Sequence, residues 1–259
     1  MRIFRLCYLV FTLFALAILL ALSITRDYIP YTGLLLVLVV LPNYFLRHAD
    51  RKVTANIILK YSLNCDPDVY LSDLKKYRRR CILTKSQKYL YSLYDCLGLI
   101  DSGNFDKALD ILLEIDDSKV HFDDITNILL IKSWCEYYYF QNKDVKLKAS
   151  VLRLKNYITS SKNENLRNNA SLIYRSLEAK YYVLSGENLD KAKKIYTDIT
   201  RMAPTNLNLA KALYELAIID IKEKNYHEGI NKLKRVSDMN EKLYVVKNAN
   251  ELISRYNNR

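Results

Sequence analysis

Apolar residues are placed very unevenly along this chain. From Ile3 to Ile24 they run almost without interruption, with Arg5 the sole charge, and a second stretch from Ile29 to Leu46 holds Pro30, Gly33, Pro42 and Asn43 among its Leu and Val. At a rise of about 1.5 Å per residue, about 20 residues cover the roughly 30 Å of a bilayer's hydrocarbon core. The first stretch is therefore long enough to span, and the second spans if Pro42 and Asn43 lie at the interface. Residues 25–28 between them, Thr-Arg-Asp-Tyr, leave room only for a turn, which predicts a transmembrane hairpin over 1–47. A cleaved signal peptide ending near Ala21-Leu22-Ser23 is the rival, against which stand the length of the run and the second run behind it. Arg2 and Arg5 precede the first stretch, and Arg47, Arg51 and Lys52 follow the second, so the basic residues place both termini and the rest of the chain on the cytoplasmic side of a cell membrane.

Beyond residue 47 the pattern changes. Apolar positions recur three and four apart, and Pro204 is the only proline after Pro67, which predicts helix nearly throughout. Short polar turns at 101–104, 141–143, 185–188 and 223–225 divide the helices into pairs: 86–101 with 104–116, 124–141 with 144–160, 166–185 with 188–202, and 207–223 with 226–238. Leu209, Leu213, Leu216 and Ala217 form one apolar stripe and Tyr214, Ile218 and Ile221 a second. A helix apolar on two sides has to be covered on two sides, as in a stack. The fold class expected is all-α, with a connector over 48–85, a stack over 86–240 and a capping helix over 241–259.

The segment from Asn188 to Pro204, with Ala192, Tyr196 and Pro204 in sequence, resembles the tetratricopeptide repeat, a helix-turn-helix unit of about 34 residues. Ala108 with Leu112, and Gly229 with Leu233, repeat the outline, and Leu147 marks a degenerate unit. Gly98 and Asp220 depart from it. The resemblance implies an α-solenoid whose first helices line a concave, partner-binding groove. The positions it implies there are Lys132, Glu136 and Tyr139; Tyr174, Leu177 and Tyr181; and Lys211, Tyr214 and Ile218. Aromatic rings beside lysines suit an extended peptide; packing between repeats is the other use for such rings.

Charge and chemistry narrow the reading further. Residues 48–259 carry 36 Lys and Arg against 27 Asp and Glu, a net of +9. The densest basic run is Lys75, Lys76, Arg78, Arg79 and Arg80, which suits either a solvated helix face or anionic membrane lipid, with nucleic acid a weaker third. Five scattered cysteines without a CxxC spacing suggest neither a disulfide framework nor a zinc site, and Asn169-Ala170-Ser171 matches a glycosylation triplet by chance. His48, His121 and His227 are dispersed, five glycines leave no phosphate-cradling loop, and no nucleophile or metal motif occurs. Asp116-Asp117 and Asp123-Asp124 sit where capping explains them. The expectation is a scaffold that is not an enzyme, needs no cofactor or metal, and holds a protein or peptide at a membrane. The alternatives are a regulatory subunit of a membrane complex and an RNA-binding repeat protein.

Overall fold

A computed structural model describes residues 48–81, 83–118, 122–202 and 205–257, together with Phe14 and Ile18. Among the described residues every regular element is a helix: α1 over 48–64, α2 (Pro67–Arg79), α3 (Lys85–Ser102), α4 (Phe105–Asp116), α5 (Asp124–Phe140), α6 (Asp144–Ser160), α7 (Glu164–Ser185), α8 (Leu189–Met202), α9 (Asn206–Lys222), α10 (Tyr226–Ser237) and α11 (Tyr244–Asn257). From α3 onward the bounds lie within a few residues of those the periodicity predicts.

Local chemistry sets these ends. Thr84 and Gln87 form a capping box on α3, the Thr84 hydroxyl accepting the Gln87 N–H at 3.3 Å and the Gln87 side chain accepting the Thr84 N–H at 3.0 Å. Asp123, Asn163 and Thr205 cap α5, α7 and α9 in the same way with their side-chain oxygens. Gly103 and Gly186, at φ of 86° and 77°, end α3 and α7 in the left-handed region that a Cβ disfavours.

The chain divides into two compact units, one of Met1–Leu59 and Asp73–Leu83, the other of Lys60–Ser72 and Thr84–Arg259. In the first, the hydroxyl of buried Tyr77 donates to Asp50 at 2.5 Å. In the second, helix pairs are stacked in chain order as in a solenoid, and the core is a series rather than one centre. Leu93, Ala108, Leu112 and Trp134 belong to a cluster of α3, α4 and α5. Cys135, Leu147, Leu154 and Leu177 belong to the next, of α5, α6 and α7, and Val183, Ala192, Tyr196 and Leu216 to that of α7, α8 and α9. Small residues permit this stacking. A Cβ on Gly229 of α10 would lie 2.9 Å from Ile221 Cγ1 and 3.1 Å from the Ala217 carbonyl oxygen of α9.

The odd-numbered helices close on themselves. α3 packs on α5, α5 on α7, α7 on α9, α9 on α11, and α11 returns to α3. At the closing seam Tyr244 sets its ring edge-on against Phe105 and Phe140, with centroids 4.8 and 5.3 Å apart, and Lys242 pairs with Asp66 at 3.0 Å. A Cβ on Gly103 would lie 2.8 Å from the Tyr244 ring, whereas one on Gly186 would meet nothing within 4 Å. Both glycines have positive φ, so Gly186→Ala is expected to cost about 1 kcal/mol and Gly103→Ala clearly more. Equal losses in urea unfolding would mean that Tyr244 does not press on Gly103.

One expectation is corrected. Among the described residues no helix is long and apolar enough to cross a membrane, which overturns the assignment of a two-span cell-membrane protein with both termini cytoplasmic. α7, with 22 residues, is the longest of the described helices, but Glu164, Arg167, Arg175, Glu178 and Lys180 along it exclude it as a span. Apart from Phe14 and Ile18, the two apolar stretches over 3–24 and 29–46 lie outside the described residues.

Candidate functional site

The interior of the helix ring carries charge. α5 contributes Glu136 and Tyr139, α7 contributes Lys180, α9 contributes Lys211 and Glu215, and α3 contributes Asp101 from its last turn. Lys180 Nζ lies 3.0 Å from Glu136 Oε2 and 3.3 Å from Glu215 Oε1, with all three side chains buried. The Tyr139 hydroxyl donates to the other Glu215 oxygen, and Lys180 stands 4.4 Å from the Tyr139 ring centroid and 5.0 Å from that of Phe140. Alongside, Asp101 accepts the Tyr61 hydroxyl at 2.6 Å and pairs with Lys211 at 2.5 Å. With Lys132, three lysines face three carboxylates, so the site is neutral as a whole.

The titration of these groups follows from burial and sharing. Burial alone would raise the Glu136 carboxyl, but the Lys180, Lys211 and Lys132 ammonium groups outweigh it and hold it at about 2. Burial, with Glu136 pushing the same way, keeps Glu215 above the usual carboxylate range despite Lys180 and Tyr139. Burial opposes the Lys180 charge, yet its two carboxylates more than compensate and hold the proton on. Lys132 is pushed down by burial, with Glu136 resisting and Lys211 and Lys180 adding to the loss.

The nine positions expected along a groove meet different fates. Glu136, Tyr139, Lys211 and Tyr214 belong to this interior, with Lys132 partly buried beside them. Their charges are satisfied within the chain, and Glu136, Tyr139 and Tyr214 are buried. Leu177 and Tyr181 belong instead to the core that α7 shares with α5 and α6, and half-buried Tyr174 donates its hydroxyl to Glu178 at 2.6 Å. Ile218 packs on the α7–α9 cluster. The inward residue of α7 is Lys180, which the repeat resemblance did not single out. Asp220, the departure from the repeat outline, is buried and clasped by Lys193 of α8 at 2.9 Å and Lys232 of α10 at 2.7 Å.

The basic run covers the last turns of α2, with Arg80 just past its end. Lys75, Lys76, Arg79 and Arg80 are exposed and Arg78 is half-buried; cations there complement the helix dipole. Exposed His48 and His227 gather no ligand cluster, and no group of His, Cys, Asp or Glu suited to a metal occurs among the described residues.

An open cleft lies elsewhere on this unit, where the N-terminal ends of α5 and α7 converge beside Tyr94 of α3. Its volume is about 620 Å³, within the range of ligand-holding clefts. Ile128 and Ala170 form a buried floor, Leu129, Leu166 and Ile173 half-buried walls, and Ile125, 57% exposed, one lip. Asp123, Asp124, Asn163 and Asn165 supply the polar rim. Asp123 and Asn163 are the caps of α5 and α7, so the same residues that start the two helices also border the opening.

No protein-family model, curated protein or solved structure matches this chain.

Proposed function

We propose that this chain is a non-catalytic helical-repeat protein, similar in plan to tetratricopeptide proteins, that holds a protein or peptide partner. The contact in this reading is made at the cleft of α3, α5 and α7 and not along the inner face of the ring. The observation that carries it is the cleft itself: an apolar floor and walls, a half-exposed isoleucine at the lip and a polar rim are what a partner's side chain needs for affinity and register. On the inner face, by contrast, Lys180 and Lys211 are paired with Glu136, Glu215 and Asp101, and Tyr139 and Tyr214 are buried, leaving little for a partner to gain.

The repeat plan is supported by the small residues Ala108, Ala192 and Gly229, each buried on the second helix of a pair where a neighbouring helix approaches closely. A non-catalytic role is supported by the ion network, whose titratable groups bond to one another instead of facing an opening.

Photo-crosslinking tests the reading. A photoreactive amino acid at Ile125, expressed in the full chain in the cells that make it, is expected to yield a discrete adduct. The same residue at Val145 of α6, which is 75% exposed on another helix, is expected to yield none. Equal adducts from both positions, or none from Ile125, would overturn the assignment of the cleft.

A further inference from the structure

The cleft carries charge of one sign. Asp123 and Asp124 are exposed at its rim, no Lys or Arg lines it, and the chain around it has a formal net charge of +12. Two helix N-termini would ordinarily attract an anion, but here each already has a side-chain oxygen on one of its donors, Asp123 Oδ1 accepting the Thr126 N–H at 2.8 Å and Asn163 Oδ1 the Leu166 N–H at 3.2 Å, and the two aspartates repel further negative charge. Asp124 accepts the Tyr157 hydroxyl on Oδ1 at 2.5 Å. Among the described residues no cationic side chain pairs with either aspartate.

We propose that the cleft takes a peptide segment presenting a bulky apolar side chain with Lys or Arg beside it, the apolar group over Ile128 and Ala170 and the cation between Asp123 and Asp124. The proposal rests on the reading of the cleft as the partner site and gives that partner its chemistry. The division of labour follows from position. The floor removes apolar surface from water and supplies affinity. The rim carboxylates, half in solvent, select the sign of the approaching charge and speed its arrival more than they tighten it. Ala170 matters for depth, since any larger side chain there fills the floor.

The probes are three short fluorescent peptides of one length, carrying Phe-Arg-Leu-Arg, Phe-Gln-Leu-Gln or Phe-Glu-Leu-Glu, titrated with the full chain by anisotropy. At low salt the arginine peptide is expected to bind about tenfold more tightly than the glutamate peptide, with the gap narrowing as salt screens the rim. Asp123→Asn with Asp124→Asn retains a good helix cap and is expected to bring the arginine peptide to the affinity of the glutamine peptide. Ile125→Arg, at an exposed position where folding is not at stake, is expected to weaken the arginine peptide severalfold. Equal binding of the arginine and glutamate peptides, or an arginine preference that survives both Asn substitutions, would overturn the proposal. If no peptide binds while Ile125 still crosslinks a partner, the charge assignment fails and the cleft stands; if Ile125 crosslinks nothing either, both fall.

Discussion

Replacing Lys180 by methionine lowers the stability of the chain by about 3–5 kcal/mol, the usual consequence of removing one member of a buried ion cluster. Methionine preserves most of the side chain's length and packing, so the loss reports on charge. What remains is Glu136 and Glu215, buried on facing helices with their shared ammonium gone. The sign of the pH dependence identifies the cause. In the parent chain Glu136 sits at about 2, below its unfolded value of about 4.3, so it contributes stability at neutral pH that fades as pH falls below that value. Without Lys180 the Glu215 carboxyl, already raised by burial, is pushed further up and Glu136 loses the largest charge holding it down, so the variant recovers part of its deficit on mild acidification. Glu136→Gln with Glu215→Gln in the Lys180→Met background is expected to restore much of the loss at pH 7. Urea unfolding followed by circular dichroism measures each step. A variant within about 0.5 kcal/mol of the parent would mean that the network is hydrated or open.

Alkaline pH unfolds the chain well below the range where lysines discharge. Burial raises the Cys65 thiol to about 11 and the Cys96 thiol to about 12, and lifts Cys135 further. An unfolded thiol loses its proton near pH 8.5, so above that pH the unfolded chain has given up protons that the folded chain still holds. Stability therefore falls with rising pH, by about 1.4 kcal/mol per pH unit for each thiol, until the folded value is reached. Three such thiols give a combined slope of about 4 kcal/mol per unit, against a total stability on the order of 5–15 kcal/mol. Above pH 10 the phenols join them: burial, then the neighbouring carboxylates of Asp101 and Glu215, hold Tyr61 and Tyr139 far above the ordinary value, and Tyr214 is raised to about 12 by burial and Glu215. Melting temperatures taken from pH 7 to 11 are expected to drop steeply from about pH 9. In a variant with all three cysteines replaced by alanine the decline should begin near pH 10 instead. Parallel declines in parent and variant would assign the effect to other groups.

The two experiments probe the feature that local sequence signals did not supply. Helix ends were legible because each is fixed within a few residues: Thr84, Asp123, Asn163 and Thr205 as caps, and Gly103 and Gly186 as left-handed stops. Helix pairing was legible because Ala108, Ala192 and Gly229 leave space where their partners cross. On α5 the repeat resemblance pointed to Glu136 and Tyr139, and both lie in the charged interior. On α7 it did not. That helix is apolar on more than one side, so spacing cannot fix which side meets which neighbour, and Leu177 and Tyr181 went to the α5–α6 core while Lys180 turned inward. A signal was present: Glu136 between Cys135 and Tyr137 and Glu215 between Tyr214 and Leu216 are lone charges in apolar runs, and a lone buried charge requires a partner of opposite sign, which Lys180 supplies. Asp123 and Asp124 read as a helix cap and a first-turn acid, which they are; that they also border a cleft depends on where the end of α7 lies.

The sequence by itself determined the elements and their order, because caps, turns and the helical period act over a handful of residues. Only the tertiary structure decided that α11 returns to α3, that the expected groove becomes a closed, charge-paired interior, and that the open surface lies at the ends of α5 and α7. Ring closure depends on the crossing angles of successive helix pairs added over the whole stack. No single residue carries that sum, and a few degrees at each step separate an open curve from a closed one.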